Sequence, residues 1–339
     1  MRIVHGGNFS LRRHGAVYYA VERKLSNGFI REGHFVYDLA DRDMARLESL
    51  LRSKKLGRKA LNRALLETVD NVRPHLLLLG HTELFDEATL DEARQLAPGL
   101  RIAQWNVDPI WGKAVDRHLR ARLPHVDAFL CTTAGSWMDP WRRLGAKVHY
   151  LPNPVDSSIE VLRNDEQGDL PLDLVYCGHD YKDGPRRAFL EGLKARAERA
   201  SIAFRHCGCL GAPSVFGLRY LDTLAQARMG LNYSRSNEMP WYSSDRIGQL
   251  TGNGLLTFTH ETPGLRELFS DEEMVHFRDL DDLLDKLRYY QAHDAEAREI
   301  ARRGRERAHR SYNVQRIARF IAEISFEQSL SEDYEWAEA

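Results

Sequence analysis

Short apolar runs alternate with amphipathic stretches along the chain. The first runs lie at 2–5, where Gly6-Gly7 follows, and at 34–39, rich in Phe, Val and Tyr. Residues 16–30 have helical character. Residues 41–72 are helical in composition, with Met44, Leu47, Leu50, Leu51, Leu61, Leu65 and Leu66 as apolar positions. Segments 75–79, 86–96, 101–105, 128–131, 135–144 and 147–151 continue the alternation. Strands spaced by helices predict β-α-β units, and right-handed crossovers then give a parallel, doubly wound layer. Leu151-Pro152-Asn153-Pro154-Val155-Asp156 interrupts the pattern, because two prolines preclude helix and favour an extended connector. Beyond it the alternation restarts. Strands are predicted at 172–177, 202–206, 229–233, 254–259 and 275–277. Helices are predicted at 185–199, 218–227, 245–250, 280–291, 295–310 and 314–326. The reading is two α/β domains, 1–155 and 156–312, then a helix within 313–330 and a frayed acidic tail at 331–339.

Length agrees, since 339 residues exceed one ordinary core. Hydrophobic residues are 43 % and charged residues 29 %, which excludes disorder as the main state. Lys+Arg 48 against Asp+Glu 49 leaves a net charge of −1, so there is no overall footprint for nucleic acid. No apolar signal segment opens the chain, and the longest leucine run, 76–79, has strand length; the expected setting is cytoplasmic. Cys131, Cys177, Cys207 and Cys209 then read as reduced thiols. His206 precedes the Cys207-Gly208-Cys209 run, but that spacing is not a zinc knuckle and no second pair completes it, so no metal site is expected.

The most informative stretch is Ser243-Ser244-Asp245-Arg246-Ile247-Gly248-Gln249-Leu250-Thr251-Gly252-Asn253-Gly254, before the apolar 255–258. It reads as a capped short helix, a glycine-rich break and a buried strand. Ser243 or Ser244 suits the cap, and free N–H groups there suit a phosphate. Arg246 adds charge, and Gln249 one turn later can bond a sugar hydroxyl. An ordinary α/β turn with glycines for close packing fits the same spacing.

This stretch resembles the donor-binding segment of GT-B glycosyltransferases, especially the spore-maturation-protein-like branch of the glycosyltransferase family 1 group. There an Arg, a Glu and a Gly precede an apolar strand; Arg246, Gln249 and Gly254 stand at those positions. The resemblance continues through Thr262-Pro263-Gly264-Leu265-Arg266-Glu267-Leu268-Phe269, 279–290 and 301–312, and covers most of 172–320. Residues 151–156 resemble the connector of the two GT-B domains, with Pro154 where relatives often have Gly. The resemblance implies two Rossmann-like domains facing a central cleft, with the last helix packing back on the first domain. It also implies a nucleotide-sugar donor on the second domain and no required cofactor or metal. The family Glu that holds the donor ribose is Gln249 here, which hydrogen-bonds without charge.

Other segments acquire roles within that frame. Gly178-His179-Asp180-Tyr181-Lys182-Asp183-Gly184, with Arg186 next, resembles the glycine turn and basic residues that face the donor diphosphate. Lys182 and Arg186 are the candidate contacts, and an anion would explain cations at a helix start. In Asn232-Tyr233-Ser234-Arg235-Ser236-Asn237-Glu238, Tyr233 and Glu238 are candidates for gripping the donor sugar, or the segment is a polar surface loop. The first domain is expected to take a carbohydrate or lipid-linked hydroxyl acceptor. Gly6, Gly7 and Asn8 offer close backbone approach there. His81 and Asp108 are candidate bases if the reaction inverts. Asp108 before Pro109 also suits a helix N-cap. Asp41-Arg42-Asp43 has D-x-D spacing, but the fold reading assigns it to capping the helix that begins there rather than to a metal. Lys54, Lys55, Arg58, Lys59 and Arg63 form a solvated basic face or a peripheral contact with an anionic membrane. The expected activity is sugar transfer in cell-surface polysaccharide or glycoconjugate synthesis. A degenerate, non-catalytic GT-B protein and a GT-B-type nucleotide-sugar epimerase are the alternatives.

Overall fold

The computed structural model describes every residue except 50, 111, 182, 183 and 339; the side chains at 113 and 114 are also outside the description. It contains eleven strands among the described residues, all parallel within their sheets. In the first unit they are β1 (Arg2–Gly7), β2 (Phe35–Ala40), β3 (Leu76–Leu79), β4 (Arg101–Asn106), β5 (Ala128–Cys131) and β6 (Val148–Tyr150). In the second they are β7 (Leu172–Cys177), β8 (Phe204–Cys207), β9 (Ala227–Asn232), β10 (Leu256–His260) and β11 (Val275–Phe277). Strand orders are β2-β1-β3-β4-β5-β6 and β11-β10-β9-β7-β8. Both sheets therefore reverse direction once, between β1 and β3 and between β7 and β9. Ligands of doubly wound sheets bind outside the carboxyl ends of the strands at that reversal. Leu76–Leu79 is buried at all four positions, as a strand covered on both faces requires.

The chain forms two compact units, Met1–Pro152 with Val314–Ala339, and Asn153–Asn313. The boundary lies three residues before the expected 155/156. Asn153 and Val155 are tied into the second unit: Asn153 Nδ2–H donates to the Ser243 carbonyl at 3.2 Å and Val155 N–H to that of Tyr312 at 2.9 Å.

The helix Val314–Ser325 lies against Val21–Arg31, and a Cβ on Gly28 would come within 2.2 Å of the Val314 carbonyl oxygen. The tail after it is not frayed. Tyr334 and Trp336 are buried against Phe320, and Tyr334 Oη–H donates to Glu323 at 3.0 Å. Its acidic residues find partners, Glu332 pairing with Arg316 at 2.7 Å and Arg319 at 3.1 Å.

Residues 41–72 are two helices, Asp41–Leu47 and Arg58–Val72. The chain folds so tightly between them that a Cβ on Gly57 would overlap the Ala45 carbonyl. Asp41 does not cap the first helix. Ala40 is the N-cap, and both Asp41 carboxylate oxygens are buried without a hydrogen-bond partner. Burial pushes that carboxyl up to about 6. A helix at Lys113–Arg122 was not expected, because five of its ten residues are basic and few are large and apolar.

Candidate active site

In the second unit the polar residues gather where β7 and β9 diverge. Arg246 opens the seven-residue helix Arg246–Gly252 that follows β9. Its Nη1–H donates to the Cys177 carbonyl at 3.0 Å and its Nη2–H to the Tyr233 carbonyl at 2.8 Å, so one guanidinium ties the ends of both strands. It lies 4.7 Å from the Tyr176 ring centroid. Gly178 is glycine because a Cβ there would sit 2.7 Å from Arg246 Nη1 and 2.9 Å from Tyr176 Oη. Arg186, in the first turn of the helix Pro185–Arg199, donates to the Ser234 carbonyl at 3.2 Å and the His179 carbonyl at 2.7 Å. Both arginines are 8 % exposed, and neither has a carboxylate partner among the described residues. Burial, reinforced by Arg246, pulls the Arg186 pKa below its usual range. Two buried cations satisfied only by carbonyl dipoles form a site short of negative charge.

The remaining donor-side candidates fall differently. Ser244 caps nothing; Asp245 holds the cap position, and the Ser244 hydroxyl is buried without a partner. Gln249 is engaged inside the protein: its amide donates to Asp245 Oδ2 at 2.6 Å and its oxygen accepts from Tyr220 Oη–H. Tyr233 is partly buried against the core, stacked on Phe189 with centroids 4.0 Å apart. Glu238 is exposed on the loop after β9. Gly254 precedes β10, hence lies at that strand's amino end, and a Cβ on it would meet Asp165, which Arg305 grips in a bidentate pair. The structure thus gathers Gly178, Arg186 and Arg246 and separates Gly254 from them, because the intervening helix carries the chain back across the sheet. Lys182 lies outside the described residues.

Two contacts of this site had no role in the sequence reading. Tyr176 occupies an inward strand position, where the pattern shows only core. Arg235 lies 4.6 Å over the Tyr181 ring, which Arg186 approaches from 5.7 Å; its residue type within 232–238 was the available signal.

In the first unit, Asn8, His81 and Asp108 follow β1, β3 and β4, three adjacent strands. His81 Nδ1 lies 3.7 Å from Asp108 Oδ2. Burial lowers the His81 pKa, with Asp108 and then Glu83 opposing it. The ring stands edge-on to Trp105 at 5.4 Å, and Gly80 leaves the room that Trp105 needs. Trp105 is itself fixed: its Nε1–H donates to His5 Nε2 at 3.1 Å. His5 Nδ1–H must then donate to Ser26 Oγ, 2.8 Å away, and Ser26 donates to Asp38 at 2.6 Å. Burial keeps His5 neutral, its pKa pulled down to about 3. Asp108 is no N-cap, since the next helix begins at Lys113 behind Gly112. Its N–H closes a turn on Asn106 Oδ1 at 2.8 Å. Gly6 and Gly7 make room for protein side chains: Cβ atoms there would lie 2.9 Å from Phe85 and from Glu22. Asn8 is half-buried and accepts from Ser10 Oγ at 3.1 Å.

Comparison with known proteins adds to this geometry. Residues 186–323 match the family model described as glycosyl transferase-like. Sucrose-phosphate synthase from Thermosynechococcus elongatus superposes with a TM-score of 0.61, at 12 % identity, over 96 % of this chain and 98 % of its own. HepE from Anabaena, solved in complex with UDP, gives 0.55 at 11 % identity, over 95 % and 99 %. AviGT4, a glycosyltransferase involved in avilamycin A biosynthesis, gives 0.55 at 15 % identity, over 95 % and 96 %. The chain has the GT-B fold. The glycosyl transferase-like region of this GT-B chain begins at Arg186 and includes Arg246 and Gln249. None of the curated proteins matches the chain.

Proposed function

We propose that this protein is a glycosyltransferase that moves a sugar from a nucleotide-activated donor to a hydroxyl acceptor. The observation that carries the reading is the pair of buried guanidinium groups, Arg186 and Arg246, with no carboxylate to balance them at the reversal of the second sheet. A donor diphosphate supplies the missing charge. HepE, of the same fold, is solved with UDP and with UDP-glucose. In the transfer, the bond from the anomeric carbon to the diphosphate oxygen breaks and one to the acceptor oxygen forms. The two arginines receive the leaving charge. For an inverting enzyme, neutral His81 takes the acceptor proton and Asp108 stabilises the imidazolium that results. The cations are the protein's own, so turnover is expected without added metal. The spore-maturation-like resemblance favours a carbohydrate or lipid-linked acceptor at the first unit. It also favours a role in cell-surface polysaccharide or glycoconjugate synthesis.

One observation favours a non-catalytic reading instead. Gln249, at the position expected to hold the donor ribose, already has both ends of its amide engaged. A calorimetric screen of UDP, GDP, dTDP, ADP and CMP without metal separates the two. Selective binding of one nucleotide supports transfer, and Arg246→Ala should then weaken it by about 1.5–3 kcal/mol. Because Arg246 also ties two strands, its melting temperature is measured alongside, with Arg246→Lys as the charge-preserving control. Binding of none of the five supports the non-catalytic protein.

A further inference from the structure

The first unit carries a surface that the donor site does not use. Between the turn Leu11–Arg13 after β1 and the helix Asp41–Leu47 after β2 lies a groove of about 770 Å³. Leu11, Tyr37, Met44 and Leu47 line it, with Arg12 and Arg52 among them. Two carboxylates in its wall are already neutralised, Asp38 by Arg23 at 2.8 Å and Asp43 by Arg46 at 3.5 Å. Leu11 and Leu47 are 59 % and 78 % exposed, and Leu51 and Leu56 along the same segment are 77 % and 65 % exposed. A single exposed leucine needs no explanation, but several in one segment with a basic rim do.

The charge is equally one-sided. Residues 46–63 hold seven basic side chains, Arg46, Arg52, Lys54, Lys55, Arg58, Lys59 and Arg63, and one acidic, Glu48. Arg58 pairs with Asp86, whereas Arg12, Arg52, Lys54, Lys55, Lys59 and Arg63 have no ion-pair partner among the described residues. A purely solvated face would not need the leucines, and a core would not expose them. Cations interleaved with exposed leucines match the boundary of an acidic bilayer, where phosphates meet acyl chains.

We propose that this segment docks the protein on an acidic phospholipid bilayer. Leu11, Leu47, Leu51 and Leu56 enter the headgroup–acyl boundary, and Arg12, Arg52, Lys54 and Lys55 lie on lipid phosphates. The groove adjoins the carboxyl ends of β1 and β2, so docking brings membrane-borne acceptors to the edge where the first unit takes its acceptor. That link rests on the glycosyl-transfer reading; the docking does not.

The test is co-sedimentation of the full chain with vesicles of phosphatidylcholine alone or mixed with phosphatidylglycerol. Acidic vesicles should bind about tenfold more tightly or better, and added salt should weaken the binding. A variant with Arg12, Arg52, Lys54 and Lys55 changed to Gln should lose that preference. A second, Leu11→Ser with Leu47→Ser and Leu51→Ser, keeps every charge and should also bind about tenfold more weakly. Equal binding to both vesicle types, binding to neither, or full binding by the leucine variant would overturn the proposal. Melting temperatures report whether the variants fold. The screen of five nucleotides, run without vesicles, reports separately on the glycosyl-transfer reading.

Discussion

Arg246 shows how far a single residue can be understood from spacing. Its position before a glycine-rich break was legible, and so was its proximity to a strand end. Its contacts with Cys177 and Tyr233 were not, because they join strands 56 positions apart in the chain, from 177 to 233. Gln249 shows the converse. The resemblance gave it the donor ribose to hold, yet the helix turns its amide toward Asp245 and toward Tyr220 from the preceding helix, Leu218–Leu224. A Glu at this position is therefore expected to harm the fold. Gln249→Glu removes the donor to Asp245 and sets two carboxylates against each other, which costs on the order of 1–3 kcal/mol. Mutual repulsion raises the pKa of one of them. The folded variant then binds a proton that the unfolded chain has lost, so its deficit against the parent grows as pH rises and shrinks on acidification. Urea unfolding at several pH values checks this. A deficit independent of pH would show that Asp245 does not face the new side chain.

At the scale of elements, every strand of both sheets was legible to within a few residues, since runs such as Leu76–Leu79 are buried on both faces and read as continuous apolar stretches, and Leu172–Cys177 buries its Leu174-Val175-Tyr176 centre. What failed was continuity. Nothing in the composition of 41–72 marks the fold-back at Gly57, because the cause is a carbonyl twelve residues earlier, that of Ala45. The polar helix Lys113–Arg122 was invisible for the same kind of reason: its anchor is buried Arg122, paired with Glu87 at 3.2 Å and bonded to the Phe85 carbonyl at 2.7 Å. Gly28 turns this lesson into a measurement. In a helix interior, Ala normally improves on Gly by about 1 kcal/mol. Here the new Cβ would lie 2.2 Å from the Val314 carbonyl oxygen, which is backbone and cannot rotate away. The helices Val21–Arg31 and Val314–Ser325 would have to separate, so Gly28→Ala should lower stability by about 1–3 kcal/mol overall. Chemical denaturation decides the sign, and a gain would mean that the two helices can separate without cost.

For the whole molecule, the decisive feature is that the second unit is inserted into the first. Asn153–Asn313 is continuous in sequence, whereas the first unit closes only when Val314–Ala339 returns to Met1–Pro152. Closing a loop that long carries an entropic cost, and non-local contacts must offset it. The last part of that closure is aromatic. Trp336 is fully buried, edge-on to Phe320 at 5.6 Å, with Arg316 at 5.0 Å over its ring. Trp336→Ala removes a large buried ring from the packing of the tail on Phe320 and should cost about 3–5 kcal/mol. The loss should be confined to one unit. Hydrogen exchange should accelerate in Val314–Ser325, Val21–Arg31 and β1, while protection in β7, β9 and β10 stays at parent levels. Equal loss of protection in both sheets would mean that the units unfold as one, and the tail would then stabilise the second unit as well as the first.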